Sequence, residues 1–187
     1  MTQRDRDALL DLLRDRSFKR GKFVLTSGRE SDFFIDCKPT VLTAEGHRLV
    51  GAVLLNAVEG LGQEVDAVAG VELGGCPLAS AVSLTSALEG RPLDALYVRK
   101  AKKGHGTGRL VEGAERLPAG SKVVILEDTI TTGGSTLRAV ESLRSEGIDV
   151  AGVIAVVDRD EGGADAIREA GLPFVAIFTR RDFMGDE

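Results

Sequence analysis

The chain has 187 residues, and 24 Lys and Arg against 29 Asp and Glu leave a formal charge of −5 at pH 7. That length suits one domain with a full core, and 43% hydrophobic with 28% charged residues excludes a disordered chain or a disulfide scaffold. No stretch reaches the roughly 18 consecutive apolar residues of a membrane span, the charged N-terminus lacks a signal core, and the acidic balance argues against a dedicated nucleic-acid binder.

Leu9, Leu10, Leu12 and Leu13 among charges predict a short amphipathic helix over residues 4–16. Residues 18–39 alternate short apolar runs with Gly and polar turns, as a hairpin or an irregular strand pair does. Thr43 is a candidate N-cap for a helix over 44–60, with Val50, Val53, Leu54, Ala57 and Leu61 on one face. A strand at 66–73, a helix at 76–90 with Pro77 in its first turn, and a strand at 94–98 follow. Strands at 123–126, 150–158 and 174–178 then alternate with helices at 135–147, closed by Gly147, and 163–170. Strands without strict alternation, separated by helices, predict a mostly parallel central sheet with helices on both faces. The expected fold is one α/β domain over residues 1–187, with residues 1–40 as a small N-terminal subdomain or flap. Cys37 and Cys76 form no CxxC, and with two histidines in the chain a zinc site is not expected. Two reduced thiols fit a cytoplasmic location.

The segment SKVVILEDTITTGGSTLRAVESL, residues 121–143, carries the most chemistry. A buried strand ends in adjacent acids, Glu127 and Asp128. A loop of Thr129, Ile130, Thr131, Thr132, Gly133, Gly134 and Ser135 leads into a helix. Ligands of parallel α/β sheets sit at the carboxyl ends of strands. Hydroxyl donors, converging backbone N–H groups and a helix N-terminus make an anion cradle suited to a phosphate monoester. Carboxylates beside a phosphate would repel it unless they face something else, and the neighbouring hydroxyls of a ribose are such donors. A sugar phosphate satisfies both halves. No G-x-x-x-x-G-K-[ST] is present, and the GHGTG at 104–108 lacks the GxGxxG spacing and a following helix.

The second informative stretch is YVRKAKKGHGTGRLVEG, residues 97–113. Five Lys or Arg residues and His105 fall among four glycines, opposite in charge to the whole chain. A loop of this length is functional or disordered, and beside a phosphate site it reads as a lid over a polyanion.

VVILEDTITTGGS resembles the ribose-phosphate signature of type I phosphoribosyltransferases, and RKAKKGHGTG at 99–108 resembles the mobile catalytic loop of their orotate branch. FVLTSGRESDFFIDCKP (23–39), GVELGGCPLAS (70–80) and VVDRDEGG (156–163) are similar to further segments of that branch, in its order. The resemblance implies the type I phosphoribosyltransferase fold and transfer of a phosphoribosyl group from 5-phosphoribosyl 1-diphosphate to orotate, with Mg²⁺ bound mainly through the substrate rather than by protein ligands. It implies a mobile loop over 99–113 that reaches into the active site of a partner subunit, and hence a homodimer. Arg99, Lys100, Lys103 and His105 would meet the diphosphate, with Arg99, Lys103, His105 and Asp128 as the catalytic set. Glu127 and Asp128 would hold the ribose hydroxyls, while Thr129 to Ser135 cradle the 5′-phosphate. Arg159 and Thr131 would take the orotate carboxylate, a guanidinium being well matched to it, and Phe33 and Phe34 would wall the ring. Adjacent residues of a strand point opposite ways, so an ordinary core role for these two aromatics stays open.

Two departures from the pattern stand out: Thr26 occupies a place where some members carry a lysine, and Glu72, Leu73 and Gly74 occupy a segment where some carry another. A transferase for another base, and an RNA-binding regulator that senses the diphosphate substrate, are the alternatives.

Overall fold

The computed structural model describes residues 3–24, 30–101 and 109–185. The first helix, α1 (Gln3–Arg16), precedes an antiparallel hairpin of β1 (Phe18–Val24) and β2 (Glu30–Ile35). A short turn of helix, α2 (Lys38–Val41), leads into α3 (Ala44–Gly60). Thr43 caps α3 as its sequence suggests, its hydroxyl accepting from the Gly46 N–H at 3.1 Å. Then come β3 (Ala67–Val71), α4 (Gly75–Leu88), β4 (Asp94–Val98), the two-residue β5 (Val111–Glu112) and β6 (Lys122–Ile130). The chain ends with α5 (Gly134–Ser145), β7 (Asp149–Asp158), α6 (Gly163–Glu169), β8 (Phe174–Thr179) and α7 (Arg180–Met184).

The main sheet has the order β5-β4-β3-β6-β7-β8, parallel throughout except for β5. Its central strands bury both faces, which is why their sequences run apolar rather than alternating. Val68, Val124, Leu126, Ile154 and Val156 pack with α1, α3 and α4. Ala67, Ala69, Val123, Ile125, Val153 and Ala155 turn the other way, toward Ala139, Val140 and Leu143 of α5 and Ile167 of α6.

The N-terminal region divides in two. Leu9 and Leu13 of α1 are fully buried in the same core as α3, so the helix is a structural layer rather than part of a flap. The hairpin alone forms a separate two-stranded sheet. A further difference lies in β6, which passes through Glu127 and Asp128 and ends at Ile130. Its pairing with β7 continues to Ile130 opposite Asp158, and those backbone bonds outweigh the weak strand preference of Glu and Asp.

From β3 the chain turns to one side for β4 and β5, then returns to the other side for β6. Such a switch in strand order opens a crevice at the carboxyl ends of the two strands concerned. The β3–β6 pairing ends at Gly70 opposite Leu126, so Glu127 to Ile130 border that crevice.

Leu13→Ala should destabilise the fold by about 2–5 kcal/mol, because the leucine has no exposure and the site would be left as a cavity. Chemical denaturation measures it, and a loss under about 1 kcal/mol would show that α1 is peripheral.

Candidate active site

Glu127 and Asp128 leave opposite sides of the end of β6, as neighbours on a strand must. Glu127 lies under the first turn of α5 and is 5% exposed. The Thr136 hydroxyl donates to its Oε1 at 2.7 Å, and the Ser135 hydroxyl reaches the same oxygen at 3.5 Å. Burial pushes its carboxyl up to about 7, against the opposing pull of the Thr136 hydrogen bond, and the Asp128 charge adds to the rise.

Asp128 faces the other way, toward the turn between β3 and α4. A Cβ placed on Gly74 would stand 2.0 Å from Asp128 Oδ2, so only glycine lets this turn approach the carboxylate. Burial raises the Asp128 carboxyl; its own neighbour's backbone, the Thr129 N–H at 2.8 Å, and the charge of Lys38 act against the rise. Asp36 and Lys38 pair at 2.7 Å beside it. Between them the Cys37 thiol donates to the Asp128 carbonyl at 3.5 Å. Burial first, then the Asp128 and Asp36 charges, hold that thiol well above its usual range. Cys37 is therefore a neutral packing group.

The phosphate-type loop is shorter than its sequence suggests. Thr129 and Ile130 belong to β6, leaving Thr131, Thr132 and Gly133 as the connection, with Gly134 and Ser135 already in α5. Gly133 is the N-cap at φ 78°, a conformation side chains resist. Among the described residues no side chain caps this helix. Its first N–H groups are thus available to an anion at the carboxyl edge of the sheet.

Beyond β7, Arg159 is 5% exposed. Its Nε donates to Glu161 at 2.9 Å, Nη2 donates to Ser31 Oγ at 3.1 Å, and the guanidinium lies 4.6 Å from the centre of the Phe33 ring. A pocket of about 420 Å³ opens here, lined by Phe33, Arg159, Ser31, Lys22, Arg180 and three acids, Asp32, Asp160 and Glu161. The two expected aromatic walls separate. Phe33 lines the pocket, whereas Phe34 lies on the opposite face of the hairpin, 5.6 Å from the Phe23 ring. Strand alternation is the reason. Thr131 does not line this pocket among the described residues. It follows Ile130, whose carbonyl accepts from the Arg159 N–H at 3.1 Å.

The base of the 99–113 loop is a hairpin. Tyr97 pairs with Glu112 and Val98 with Val111, and the Arg99 N–H donates to the Leu110 carbonyl at 2.8 Å. The Lys100 N–H donates to Glu72 at 2.6 Å, which ties the loop to the turn that carries Gly74. The Arg99 guanidinium pairs with Glu112 at 3.4 Å, yet its buried Nε has no partner among the described residues. Lys103 and His105 lie outside the described residues, as does Thr26.

Thr136, Ser31, Glu161 and Arg180 did not stand out in the sequence. Arg180 had a usable signal, an arginine directly after an apolar strand, the same cue that marks Arg159. No helix among the described residues is long and apolar enough to cross a membrane.

Comparisons with known proteins place this arrangement. A family model described as the phosphoribosyl transferase domain matches residues 43–169. The orotate phosphoribosyltransferase of Sorangium cellulosum is 67% identical over 182 residues, covering 97% of this chain and 94% of that protein. That of a Nostoc species is 46% identical over 95% of this chain and 84% of its own. The crystal structure of Mycobacterium tuberculosis orotate phosphoribosyltransferase in complex with 5-phospho-α-D-ribosyl 1-diphosphate superposes with a TM-score of 0.78 at 33% identity, covering 96% of this chain and 98% of that one. Matched by that domain model over residues 43–169 and by these relatives over nearly its whole length, the chain belongs to the orotate phosphoribosyltransferase family, built on the phosphoribosyl transferase domain.

Proposed function

We propose that the protein transfers the 5-phosphoribosyl group of 5-phospho-α-D-ribosyl 1-diphosphate to orotate, giving orotidine 5′-phosphate and diphosphate in de novo pyrimidine synthesis. The observation that carries it is the paired placement of a buried carboxylate, Glu127, and a half-buried one, Asp128, at the end of β6, with a helix N-terminus directly after them that no side chain caps among the described residues. That pairing suits a sugar phosphate, and kinship with the orotate enzymes names the base.

In this reading the 5′-phosphate takes the N–H groups of Gly134 and Ser135 and the hydroxyls of Thr131, Thr132 and Ser135. The ribose hydroxyls donate to Asp128 and to the oxygen of Glu127 that Thr136 and Ser135 leave unused. Arg159 receives the orotate carboxylate, with Thr131 beside it, and the ring lies against Phe33. The base nitrogen bonds to C1 as the C1–O bond breaks; the electron pair of that bond leaves with diphosphate, which takes up the proton the nitrogen gives away. Arg99 and Lys100, with Lys103 and His105 from the loop, are the cations that meet the growing negative charge.

The donor chemistry also fits Mg²⁺. Among the described residues no cluster of three or more His, Cys, Asp or Glu forms a metal cage. Mg²⁺ normally keeps its waters and takes one or two carboxylates together with substrate phosphates, and Asp128 offers one such hard oxygen. Bound in that way, the ion would lower the charge on the departing diphosphate.

We also infer a homodimer with shared active sites and a cytoplasmic location. Leu84 and Leu88 are 58% and 79% exposed on α4, one helical turn apart, and continue from Ser80, which hydrogen bonds the Tyr97 hydroxyl of β4. This apolar stripe lies next to β4, the strand that leads into Arg99, and suits a second copy. Both cysteines are free thiols, as a reducing compartment keeps them.

Incubation with orotate, Mg²⁺ and 5-phosphoribosyl 1-diphosphate should deplete orotate absorbance. Turnover of hypoxanthine or adenine instead would reassign the base, and no turnover of any base would favour a regulator. Lys103→Ala should lower kcat by about two orders of magnitude or more with modest loss of binding, since its contact belongs to the transition state. Mixed with Asp128→Asn subunits, it should regain part of the activity through hybrid dimers. Failure to complement after proven subunit exchange would mean each subunit acts alone.

Glu127 yields a pH-dependent test. Its folded pKa of about 7 lies above the ordinary carboxylate value of 4.5, so the folded state binds more protons than the unfolded one between these values. Stability therefore falls as pH rises through that window. Glu127→Gln should gain up to about 3 kcal/mol at pH 8 and nothing at pH 4, while weakening orotidine 5′-phosphate binding. Equal effects on stability at both pH values would contradict the assignment.

A further inference from the structure

The carboxyl edge of the sheet carries a second guanidinium beside Arg159. β7 ends at Asp158 and β8 at Thr179, and these residues are register partners on adjacent parallel strands. The next residue on each strand is an arginine. Arg159 and Arg180 therefore leave the sheet at the same level, and both guanidiniums lie over one ring, 4.6 Å and 5.6 Å from the centre of Phe33. Both line the same pocket of about 420 Å³.

The backbone of Arg180 is held firmly. It is the first residue of α7, where the Thr179 N–H and hydroxyl both bond Asp182 at 2.8 and 3.3 Å, closing a capping box. α7 is in turn fastened to the hairpin that bears Phe33. Phe183 stacks on Phe18 at 5.5 Å, and Arg20 donates to the Met184 carbonyl at 3.0 Å.

The side chains differ in how their charges are balanced. Arg159 and Glu161 form a pair with side-chain exposures of 5% and 20%. Opening it would strand a buried charge. Arg180 pairs with Asp32, with exposures of 43% and 53%, and an exposed pair is weak and readily exchanged. The pocket's three cations, Lys22, Arg159 and Arg180, face three acids, Asp32, Asp160 and Glu161. Among the described lining residues the charges therefore balance, so a cation is freed for an anionic base only when one pair opens, and the Arg180–Asp32 pair is the more exposed of the two.

We propose that Arg180 is a specificity residue for the base: it leaves Asp32 on binding and, beside Arg159, gives its charge to the carboxylate of the pyrimidine. This rests on the transferase reading and adds the residue that makes the pocket prefer a carboxylated base to a neutral one. A planar guanidinium is the group expected to act there, since it can take both carboxylate oxygens while lying along an aromatic face.

Titration calorimetry of the full chain with orotidine 5′-phosphate and with uridine 5′-phosphate isolates the effect, because these ligands differ only in the carboxylate. Arg180→Gln should weaken the first by about ten- to a hundredfold and leave the second within about twofold, with Arg180→Lys between wild type and Gln. Equal weakening of both ligands, or unchanged binding of both, would overturn the proposal and leave Arg180 a structural contact. If wild type binds neither nucleotide, the transferase reading itself fails, a result distinct from loss of discrimination in the variant alone. Asp32→Asn tests the exchange even if Arg180→Gln does not fold. It should tighten orotidine 5′-phosphate by about two- to fivefold without affecting uridine 5′-phosphate, since the competing charge is gone. No change in that ratio would contradict the exchange.

Discussion

β6 outlasts β3. Past Gly70 the third strand turns away into the 72–74 segment, while the sixth continues to Ile130, paired on its other side with β7. The residues from Glu127 to Ile130 thus keep strand geometry with one neighbour missing. The two acids of the candidate site are placed by that mismatch. Alternation sends Glu127 under α5 and Asp128 toward Gly74, and the glycine fits because nothing larger could approach the carboxylate. The end of β6 beside the end of β7 sets Arg159 near Thr131, and the end of β7 beside the end of β8 sets Arg180 near Arg159.

Such an arrangement is costly to the fold. Glu127 is buried among hydroxyl donors, with no cation bonded to it among the described residues, and its carboxyl resists ionisation until about pH 7. Asp128 is likewise raised by burial and only partly relieved by the charge of Lys38. A protein selected for stability alone would not place two acids there. Their placement makes sense if a ligand supplies the missing donors, and ribose hydroxyls do so without bringing a further charge. The Asp36–Lys38 pair and the buried Cys37 thiol hold the wall behind Asp128, so the carboxylate is set before any ligand arrives.

Much of this was legible in the residues. Apolar runs of the central strands, the Thr43 cap, and the glycines near helix ends mark the α/β layout because each reflects a local rule. The end of β6 was not legible, because Glu, Asp and Thr resemble a loop and only the ladder to β7 keeps them extended. β5 and α7 are too short to carry a periodic signal and exist through tertiary pairing, β5 on β4 and α7 on the hairpin. The adjacent Phe33 and Phe34 suggested two walls, and strand alternation assigns one to the pocket and one to Phe23. Thr136 was hidden for a different reason: a threonine in a first helical turn has many ordinary uses, and only the fold shows that its hydroxyl bonds a buried acid.

The central claim is that one ligand spans the strand ends, with phosphate at the start of α5, ribose at the acids and base at the arginines. A crystal structure with orotidine 5′-phosphate tests it most directly. The account predicts the phosphate on the Gly134 and Ser135 N–H groups, the ribose hydroxyls on Asp128 and Glu127, and the base carboxylate at Arg159. A phosphate bound elsewhere, or a ribose with no contact to either acid, would contradict it.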